Sequence, residues 1–330
     1  MSKPLLICMT PVKNEAWCLD VFLTCASLWA DHIIIADQGS TDGSREIAKK
    51  YPKVILIENK DTELHETNRQ RLLFNEARKI PGDKVFIALD ADEVFTANFQ
   101  ETNDWEKISN AKPGDIFNFK WANIEEDCKH YTISGWSQWA FFDEGTNPPK
   151  EGYIHIARVP WPQNSTPNEH FVNDFRVIHL QKIFYDRTVS KNIFYQYYTK
   201  IKEPKKSAIS LYRTYNKKPK EELLEIPNHF LDNYLKLGID IFKGLNLSAT
   251  IHWQDLEIIE YIKEYGQKYF QYIFINQSWY DKINNHLDGI NLKNKRTLLA
   301  KLLYFYLHST KNISNSLLIR TIDKVLKVII

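Results

Sequence analysis

Long apolar runs and paired cysteines are both missing from this 330-residue sequence. No stretch approaches the roughly 20 apolar residues that a membrane-spanning helix needs. The apolar run at residues 5–9 is too short for a secretory signal and leads directly into Thr-Pro. Three of the four cysteines lie in the first 25 residues and none has metal-ligand spacing, which favours reduced thiols over a disulfide framework. These absences together predict a cytoplasmic protein.

The sequence also has no strong net charge and no glycine-rich phosphate loop. A net charge of +2 does not indicate the strongly basic surface that is typical of nucleic-acid-binding proteins. Gly39 and Gly43 fit neither the G-x-G-x-x-G pattern nor the P-loop spacing, which excludes a dinucleotide-binding dehydrogenase and a P-loop enzyme. With 43% hydrophobic residues, the chain can bury a large core and form one large or two medium domains.

Strands and helices are predicted to alternate along the first ninety residues. The apolar runs predict strands at residues 5–9, 32–36, 54–58 and 85–89. The segments between them predict helices at residues 16–29 and 64–80, and a third that begins at 40–42. Alternation of this period predicts a parallel sheet with right-handed crossovers.

Beyond residue 100 the pattern changes twice. Short aromatic segments separated by Pro and Gly predict further strands at residues 116–121, 136–142, 153–159 and 176–180. From about residue 190, stretches of Leu, Ile, Tyr and Lys predict helices. We therefore expect an α/β domain over residues 1–205, with a mixed sheet flanked by helices, and a helical region over residues 206–330.

The most informative segment is VFIALDADE at residues 85–93. A buried strand runs directly into Asp90, Ala91, Asp92 and Glu93, at the edge where open α/β sheets bind ligands. Asp90 and Asp92 point the same way on an extended chain, because successive side chains alternate. Such a pair suits a hard divalent cation held against the phosphates of a nucleotide. The alternative is a solvated loop after a strand.

Two other strand ends carry polar residues that would lie at the same sheet edge. After the first strand, Pro11 keeps the chain extended, and backbone groups near Thr10 and Val12 could grip a flat base. At the end of the second strand, Asp37 could accept a hydrogen bond from a base or a sugar hydroxyl, and Gly39 permits a tight turn. The alternative for Asp37 is that it only caps the turn.

Three segments in this order, TPVKNE (10–15), ADQGSTDGS (36–44) and ALDADE (88–93), resemble the inverting glycosyltransferases of family 2, which have the GT-A fold. Beyond residue 95, VIHLQ (177–181) and SKNIFYQ (190–196) are similar to a bacterial subgroup. The resemblance implies metal-dependent transfer of a sugar, with inversion, from a nucleotide-sugar donor to a hydroxyl acceptor. It also implies a role in bacterial surface polysaccharide or lipopolysaccharide synthesis.

The resemblance implies which residues bind the donor. Asp37 would hydrogen-bond the base, Asp90 would contact the ribose, and Asp92 would bind the metal. An arginine on the predicted third helix would reach the nucleotide, and Arg69 is favoured over Arg71. The full predicted nucleotide-sugar-binding set is Thr10, Pro11, Val12, Asn14, Glu15, Asp37, Gly39, Arg69, Arg71, Asp90 and Ala91.

The expected cofactor is a divalent cation, Mg²⁺ or Mn²⁺, which neutralises the charge that develops on a departing nucleoside diphosphate. Mg²⁺ takes one or two carboxylates and fills its other positions with phosphate oxygens and water, so Asp92 with the diphosphate is enough. The resemblance implies that His179, in VIHLQ, adds a second metal ligand. The alternative is a core histidine.

Inversion requires a general base that deprotonates the acceptor hydroxyl. The resemblance implies an Asp or Glu in the second half of the domain, and the sequence leaves the choice open. The candidates are Glu169, Asp174, Asp143 and, beside the last, Glu144. Three tryptophans are candidates either for stacking on the acceptor or for plain packing: Trp136, Trp139 and Trp161.

Residues 291–330 carry eight Lys or Arg residues and one acid, Asp323. A basic amphipathic helix can lie on an anionic membrane surface. Peripheral membrane contact is therefore one expectation for these helices, and packing on the catalytic domain is the other. The expected partners are a nucleotide-diphosphate sugar donor and a glycan or glycolipid acceptor, with no nucleic acid.

Two other functions fit parts of the pattern. A sugar-1-phosphate nucleotidyltransferase uses a related sheet and a metal, but it would carry a basic, glycine-rich loop after the first strand, which TPVKNE lacks. A non-catalytic domain that binds a nucleotide sugar or scaffolds partners is the other alternative. The joint presence of Asp37, Asp90 and Asp92 argues against it.

Overall fold

A computed structural model of the protein describes residues 3–216, 222–247, 249–294 and 296–329. The chain divides into two compact units. Unit 1 comprises Met1–Ile183 and Glu222–Leu247, and unit 2 comprises Phe184–Glu221 and Ser248–Ile330. The division into an α/β domain over residues 1–205 and a helical region over residues 206–330 stays a prediction.

Unit 1 is built on one mixed sheet. Its strands are β1 (Leu5–Val12), β2 (His32–Asp37), β3 (Val54–Glu58), β4 (Lys84–Ala88), β5 (Glu93–Phe95), β6 (Asp115–Ile124), β7 (His130–Phe142), β8 (Asn168–Phe171), β9 (Val177–His179) and β10 (Leu224–Glu225). The helices, in chain order, are α1 (Ala16–Ala26), α2 (Ser44–Ala48), α3 (Glu66–Ala77), α4 (Asn103–Ser109), α5 (Tyr185–Lys202), α6 (Ala208–Asn216), α7 (Asp232–Lys236), α8 (Trp253–Tyr265), α9 (Gln277–His286), α10 (Leu298–Ser309) and α11 (Leu317–Ile329).

The first four strands are parallel in the order β3-β2-β1-β4, which confirms the predicted alternation. The apolar runs of β1, β2 and β4 are buried because helices cover the sheet, whereas β3, at the edge, is half-buried. Ile7, Met9 and Phe86 pack with Leu73 and Phe74 of α3 in a cluster that excludes water. Burial of this kind is the main stabilising contribution to the sheet.

The rest of the sheet is mixed. Strand β7 pairs antiparallel with β4 on one side and with β6 on the other. Strand β9 runs parallel to β6, and β5 pairs antiparallel with β9, so that Glu93 lies opposite His179. The predicted α/β class, a mixed sheet flanked by helices, is confirmed.

Residues 150–158 form no strand, contrary to the prediction for 153–159. Their backbone bonds to the first turn of α3 instead of to a neighbouring strand. The Glu66 N–H donates to the Tyr153 carbonyl at 2.9 Å, and the Ile156 N–H donates to Glu66 Oε2 at 2.9 Å. The Thr67 hydroxyl accepts from the Gly152 N–H at 2.8 Å. We term residues 150–158 the α3-bound segment.

Other boundaries also differ from the sequence predictions. Helix α2 begins at Ser44 rather than at 40–42, because Asp42 Oδ1 accepts a bond from the Ser44 N–H at 3.0 Å and Gly43 has a φ of +96°. Helix α3 is shorter than the predicted 64–80. Strands β5, β8 and β10 have two to four residues, too few to give a periodic signal.

Unit 2 is helical, as expected for the C-terminal region. Helices α6 and α10 enclose a small core that contains Ile209, Tyr212, Leu303 and Leu307. Among the described residues, no helix is both long enough and apolar enough to cross a membrane.

Candidate functional site

A tight turn at the end of β4 brings the carboxylates of residues 90–93 together. The Glu93 N–H donates to the Asp90 carbonyl at 3.0 Å, and the Asp90 N–H donates back to Glu93 Oε2 at 2.9 Å. Asp92 and Glu93 are buried, with 3% and 0% of their surface exposed. Buried carboxylates require compensating partners, so the neighbours of this turn decide its chemistry.

Glu93 is fully occupied by donors. Its Oε1 accepts from Trp121 Nε1 at 2.8 Å and from Arg158 Nη2 at 3.0 Å. Its Oε2 accepts from Arg158 Nη1 at 2.6 Å in addition to the Asp90 N–H. Burial raises the pKa of Glu93 to about 7, and the positive charge of Arg158 opposes that rise. Four donors on two oxygens give Glu93 a positioning role.

Arg158 compensates two carboxylates at once. Besides Glu93, it donates to Asp90 Oδ2 at 2.6 Å, and its guanidinium lies 5.5 Å from the centre of the Trp139 ring. It belongs to the α3-bound segment, whose backbone bonds to α3 fix its position. The sequence analysis did not identify this residue. An arginine in an irregular segment 65 positions from its partner gives no local signal.

Asp92 and His179 converge on one point. Asp92 Oδ2 lies 3.8 Å from His179 Nε2, and the Leu180 N–H donates to the Asp92 carbonyl at 2.9 Å. His179 Nδ1 lies 2.9 Å from Asn123 Oδ1, an acceptor, so Nδ1 carries a proton and the lone pair of the neutral ring lies on Nε2. The Trp121 ring stacks on the imidazole with ring centres 4.9 Å apart.

This donor set fits a hard divalent cation. Ligand atoms of Asp92, Glu93 and His179 all lie within 4.8 Å of one another. Two neighbouring ligands of an octahedral ion with bonds near 2.1 Å stand about 3 Å apart, and opposite ligands about 4 Å apart. The distance of 3.8 Å between Asp92 Oδ2 and His179 Nε2 lies between these two separations, so both atoms are close enough to reach one ion. Since Glu93 is committed to Arg158 and Trp121, Asp92 and His179 are the two residues that could hold the ion.

The exits of β1 and β2 are joined by hydrogen bonds. The Asn14 N–H donates to Ser40 Oγ at 2.8 Å, and Asn14 Oδ1 accepts from the Thr41 N–H at 2.7 Å. The Glu15 N–H donates to Ser44 Oγ at 2.9 Å. These bonds hold the two loops in a fixed relation. Asn14 and Glu15 thus serve the architecture of this edge, and Gly39 turns the chain with a φ of +68°.

Strand β1 runs past the predicted end at residue 9 and reaches Val12. Its pairing with β4 ends at Met9, and its pairing with β2 continues to Val12. The missing N–H of Pro11 therefore costs no hydrogen bond to β4. Thr10 is buried, and the Val12 carbonyl accepts a bond from the Gln38 N–H at 2.8 Å. The register places Val12 beside Asp37.

Asp37 is buried and only half satisfied. Its Oδ2 accepts from Arg45 Nη1 at 2.8 Å and from the Ser40 N–H at 3.2 Å. Its Oδ1 is buried and has no hydrogen-bond partner among the described residues. The same holds for Gln38 Oε1 and for Asn59 Nδ2, which follows β3. Buried polar atoms of this kind cost about 1–3 kcal/mol each unless a ligand or water satisfies them.

The two candidate arginines face different directions on α3. Arg71 is 48% exposed and pairs with the exposed Glu151 at 2.8 Å. Arg69 is half-buried, and its Nε is buried without a hydrogen-bond partner in the described part of the chain. Residues two apart on a helix point about 200° apart, so only one of them can face the sheet edge.

The predicted general bases lie away from Asp92 and His179. Asp143 is buried in a bidentate pair with Arg78, at 2.7 Å. Glu169 lies opposite Ile116 while His179 lies opposite Asn123, so the register separates them by roughly 20 Å along β6. Asp174 is exposed, and its backbone bonds to Asp104 and Asn98 beyond the far end of β5. The structure brings together Asp90 and Asp92 with His179, and none of the three bases.

The tryptophans divide between core and surface. Trp139 is 2% exposed and packs against Trp121. Trp136 is 37% exposed and Trp161 is 50% exposed. Trp136 and Trp161 are exposed enough to stack on an acceptor, whereas Trp139 is buried and packs in the core.

Residues 8–102 match the model of glycosyl transferase family 2. The match covers less than a third of the chain and contains both loops at the exits of β1 and β2 and the carboxylate turn. Together with the mixed sheet, it confirms the predicted GT-A-like fold class. Residues 8–102 are therefore similar to this glycosyltransferase family.

Solved structures show weaker similarity. Glucosyl-3-phosphoglycerate synthase from Mycobacterium tuberculosis, in complex with Mn²⁺, UDP and glucosyl-3-phosphoglycerate, is 14% identical over 36% of this chain and 44% of that chain, with a TM-score of 0.28. Mannosyl-3-phosphoglycerate synthase from Rubrobacter xylanophilus is 13% identical over 37% and 41%, with a TM-score of 0.29. This chain thus spans less than half the length of either synthase.

A third similarity is to 4-diphosphocytidyl-2C-methyl-D-erythritol synthase, which is 12% identical over 43% of this chain and 75% of that chain, with a TM-score of 0.28. No curated protein matches the chain.

Proposed function

We propose that the protein is a metal-dependent, inverting glycosyltransferase that uses a nucleoside-diphosphate sugar. Its acceptor is a hydroxyl group of a bacterial surface glycan or glycolipid, and it acts in the cytoplasm. The observation that carries the proposal is the convergence of His179 on Asp92, beside Asp90. Asp90 and Asp92 lie inside the segment that matches glycosyl transferase family 2.

The metal would be held by Asp92 and His179. A bound divalent cation would act as a Lewis acid and neutralise charge on the departing diphosphate. Asn123 supports this role because its bond to His179 Nδ1 fixes the tautomer that presents Nε2. Glu93 and Arg158 support it by holding the turn, so that Asp92 is positioned before a ligand arrives.

The nucleoside would bind at the exits of β1 and β2. Asp37 Oδ1 is a buried acceptor that a base N–H could satisfy, and Gln38 and Asn59 offer further unsatisfied atoms at neighbouring strand ends. Asp90, which is 39% exposed, keeps an accessible carboxylate for the ribose hydroxyls. Arg69, rather than Arg71, would bind the phosphates of the nucleotide-sugar donor.

None of the three predicted general bases lies next to Asp92 and His179. Glu169 is separated from His179 by roughly 20 Å along β6. Asp143 is neutralised by Arg78. Of the predicted three, Asp174 and Glu169 keep exposed carboxylates, and their catalytic role stays a prediction.

A thermal-shift panel tests the proposal. UDP, GDP, dTDP and CMP would each be added with and without Mn²⁺ to the wild type, to Asp92→Ala and to Asp83→Ala. Asp83 is an exposed aspartate at the opposite end of β4 and serves as the matched control. A ligand that binds only the native state raises the melting temperature. We expect a metal-dependent shift with one nucleoside diphosphate that Asp92→Ala loses and Asp83→Ala keeps.

No shift with any nucleotide would overturn the proposal in favour of a scaffold protein. A shift without turnover, measured as release of nucleoside diphosphate from the sugar donor with acceptor present, would indicate a binding domain. Release of pyrophosphate from a nucleoside triphosphate and a sugar phosphate would indicate a nucleotidyltransferase.

A further inference from the structure

Helix α10 exposes a stripe of large apolar side chains. Leu298, Leu302 and Phe305 recur at i, i+4 and i+7, which places them on one side of the helix. They are 75%, 58% and 73% exposed. Three such residues in one stripe form a contiguous apolar surface, which single exposed leucines do not.

The opposite side of α10 is buried, so the direction of the stripe is fixed. Ala300, Leu303 and Leu307 lie about 180° away around the helix and are 0–3% exposed. Leu303 and Leu307 pack with Ile209 and Tyr212 of α6. The helix therefore has its core face already, and the exposed stripe is additional to it.

Helix α11 also exposes large apolar side chains and carries positive charge. Leu317 and Leu318 are 82% and 69% exposed. Arg320, Lys324 and Lys327 are exposed beside them, on the adjacent side of the same helix. Long basic side chains next to an apolar stripe can extend toward phosphates while their methylene groups cover apolar surface. We term these exposed residues of α10 and α11 the apolar–basic face.

The single acid of residues 291–330 is not on this face. Asp323 is 7% exposed and accepts from Arg213 Nε at 2.9 Å and from the Tyr306 hydroxyl at 2.8 Å. Its charge is compensated inside unit 2. Over residues 296–327, which the structure describes, the exposed surface therefore carries cations and no side-chain carboxylate.

We propose that the apolar–basic face binds the surface of an anionic lipid bilayer. An exposed apolar stripe with lysines and arginines beside it matches the interfacial region, where acyl chains meet negatively charged headgroups. A second copy of this chain is a poorer occupant, because a self-complementary contact would bring the same cations against each other. The inference rests on unit 2 alone and does not depend on the proposed function.

Vesicle co-sedimentation of the full chain tests this. Phosphatidylcholine vesicles would be compared with vesicles that also contain phosphatidylglycerol. We expect binding to the anionic vesicles that weakens as salt is added. Leu302→Gln with Phe305→Gln should weaken binding at least about tenfold through lost apolar burial. Lys324→Gln with Lys327→Gln should weaken it at least about tenfold through lost charge.

The matched control is Leu256→Gln with Lys263→Gln, an equally exposed pair on α8 of the same unit, which should bind like the wild type. Unchanged melting temperatures would show that the variants are folded. Equal binding to neutral and anionic vesicles, or none to either, would overturn the proposal. So would a wild-type dimer, detected by light scattering, that Leu302→Gln with Phe305→Gln converts to a monomer.

Discussion

Two buried carboxylates in this protein have nearly the same partners and different surroundings. Glu93 in unit 1 binds Arg158 and the Trp121 indole N–H. Asp255 in unit 2 binds Lys282 at 2.9 Å and the Trp279 indole N–H at 2.7 Å. Both side chains are 0% exposed. A cation and an indole thus compensate a buried negative charge in each unit.

The difference lies beside the pairs. Next to Glu93, Asp92 and His179 converge with geometry that suits a cation. Next to Asp255, the additional carboxylate of Asp186 is 56% exposed and accepts from the same Lys282 at 3.1 Å. The comparison teaches that a buried ion pair is by itself a structural element. Ligand atoms that converge beside such a pair are what make a candidate site.

The largest expected effect follows from removing the basic side chain that pairs with each buried carboxylate. Arg158→Met and Lys282→Met should each cost about 3–5 kcal/mol of unfolding free energy, because each leaves a buried carboxylate without its compensating charge. Urea unfolding measures this. Only Arg158→Met should also abolish the nucleotide-dependent thermal shift.

Arg71→Met is the matched control for these variants, since both Arg71 and Glu151 are exposed and a surface pair contributes about 0–1 kcal/mol. A cost for Arg158→Met no greater than that for Arg71→Met would contradict the role assigned to Arg158.

The pH dependence of stability should identify Glu93. Its pKa of about 7 in the folded state lies above the ordinary value of 4.5, so its contribution is present below pH 4.5 and is lost as the pH rises through 7. The free energy of unfolding of the wild type should therefore fall by up to about 3 kcal/mol, relative to that of Glu93→Gln, as the pH rises from 4.5 through 7. Urea unfolding at several pH values measures the difference. A difference that stays constant with pH would refute this, and Glu169→Gln at an exposed position controls for the substitution.

Removing one indole N–H should have a smaller effect. Trp121→Phe and Trp279→Phe each delete a hydrogen bond to a buried carboxylate and should cost about 1.5–3 kcal/mol. Trp161→Phe, at a half-exposed position, should stay within about 0.5 kcal/mol of the wild type. If only one of Trp121→Phe and Trp279→Phe lowered the free energy of unfolding, the two buried carboxylates would not be stabilised in the same way.

The smallest expected effect concerns a residue that orients a proposed metal ligand without binding the ion itself. Asn123→Ala should lower Mn²⁺ affinity about 10–100-fold, because His179 loses the partner that fixes its tautomer. Calorimetric titration with Mn²⁺ measures this, and the exposed Asn164→Ala should leave the affinity unchanged. An affinity of Asn123→Ala equal to that of the wild type would remove His179 from the proposed metal site.

The sequence predicted the parts of the fold that have strong local signals. Buried apolar runs identified β1 to β4. The chemistry of the residues after them predicted Asp37, Asp90 and Asp92 as one group, which stays a prediction. His179 was identified only through a resemblance, and the structure places it beside Asp92.

Arg158 and Asn123 could not be predicted in the same way. Each acts through a partner at least 56 positions away, and neither belongs to a motif. Residues 153–159, most of which belong to the α3-bound segment, were predicted as a strand. The true partner of this segment is the first turn of α3, which only the tertiary fold reveals. The register of β8 and β9 on β6, which separates Glu169 from His179 by roughly 20 Å, likewise could not be read from the sequence.

The long separation between Glu93 and Arg158 has a consequence for the order of folding. Contacts between residues far apart in sequence form late, because closing a long loop costs conformational entropy that local contacts do not. A nascent chain that ends before residue 158 holds Asp90, Asp92 and Glu93 without their compensating cation. We infer that the carboxylate turn acquires its final shape only after the α3-bound segment has been synthesised and has docked on α3.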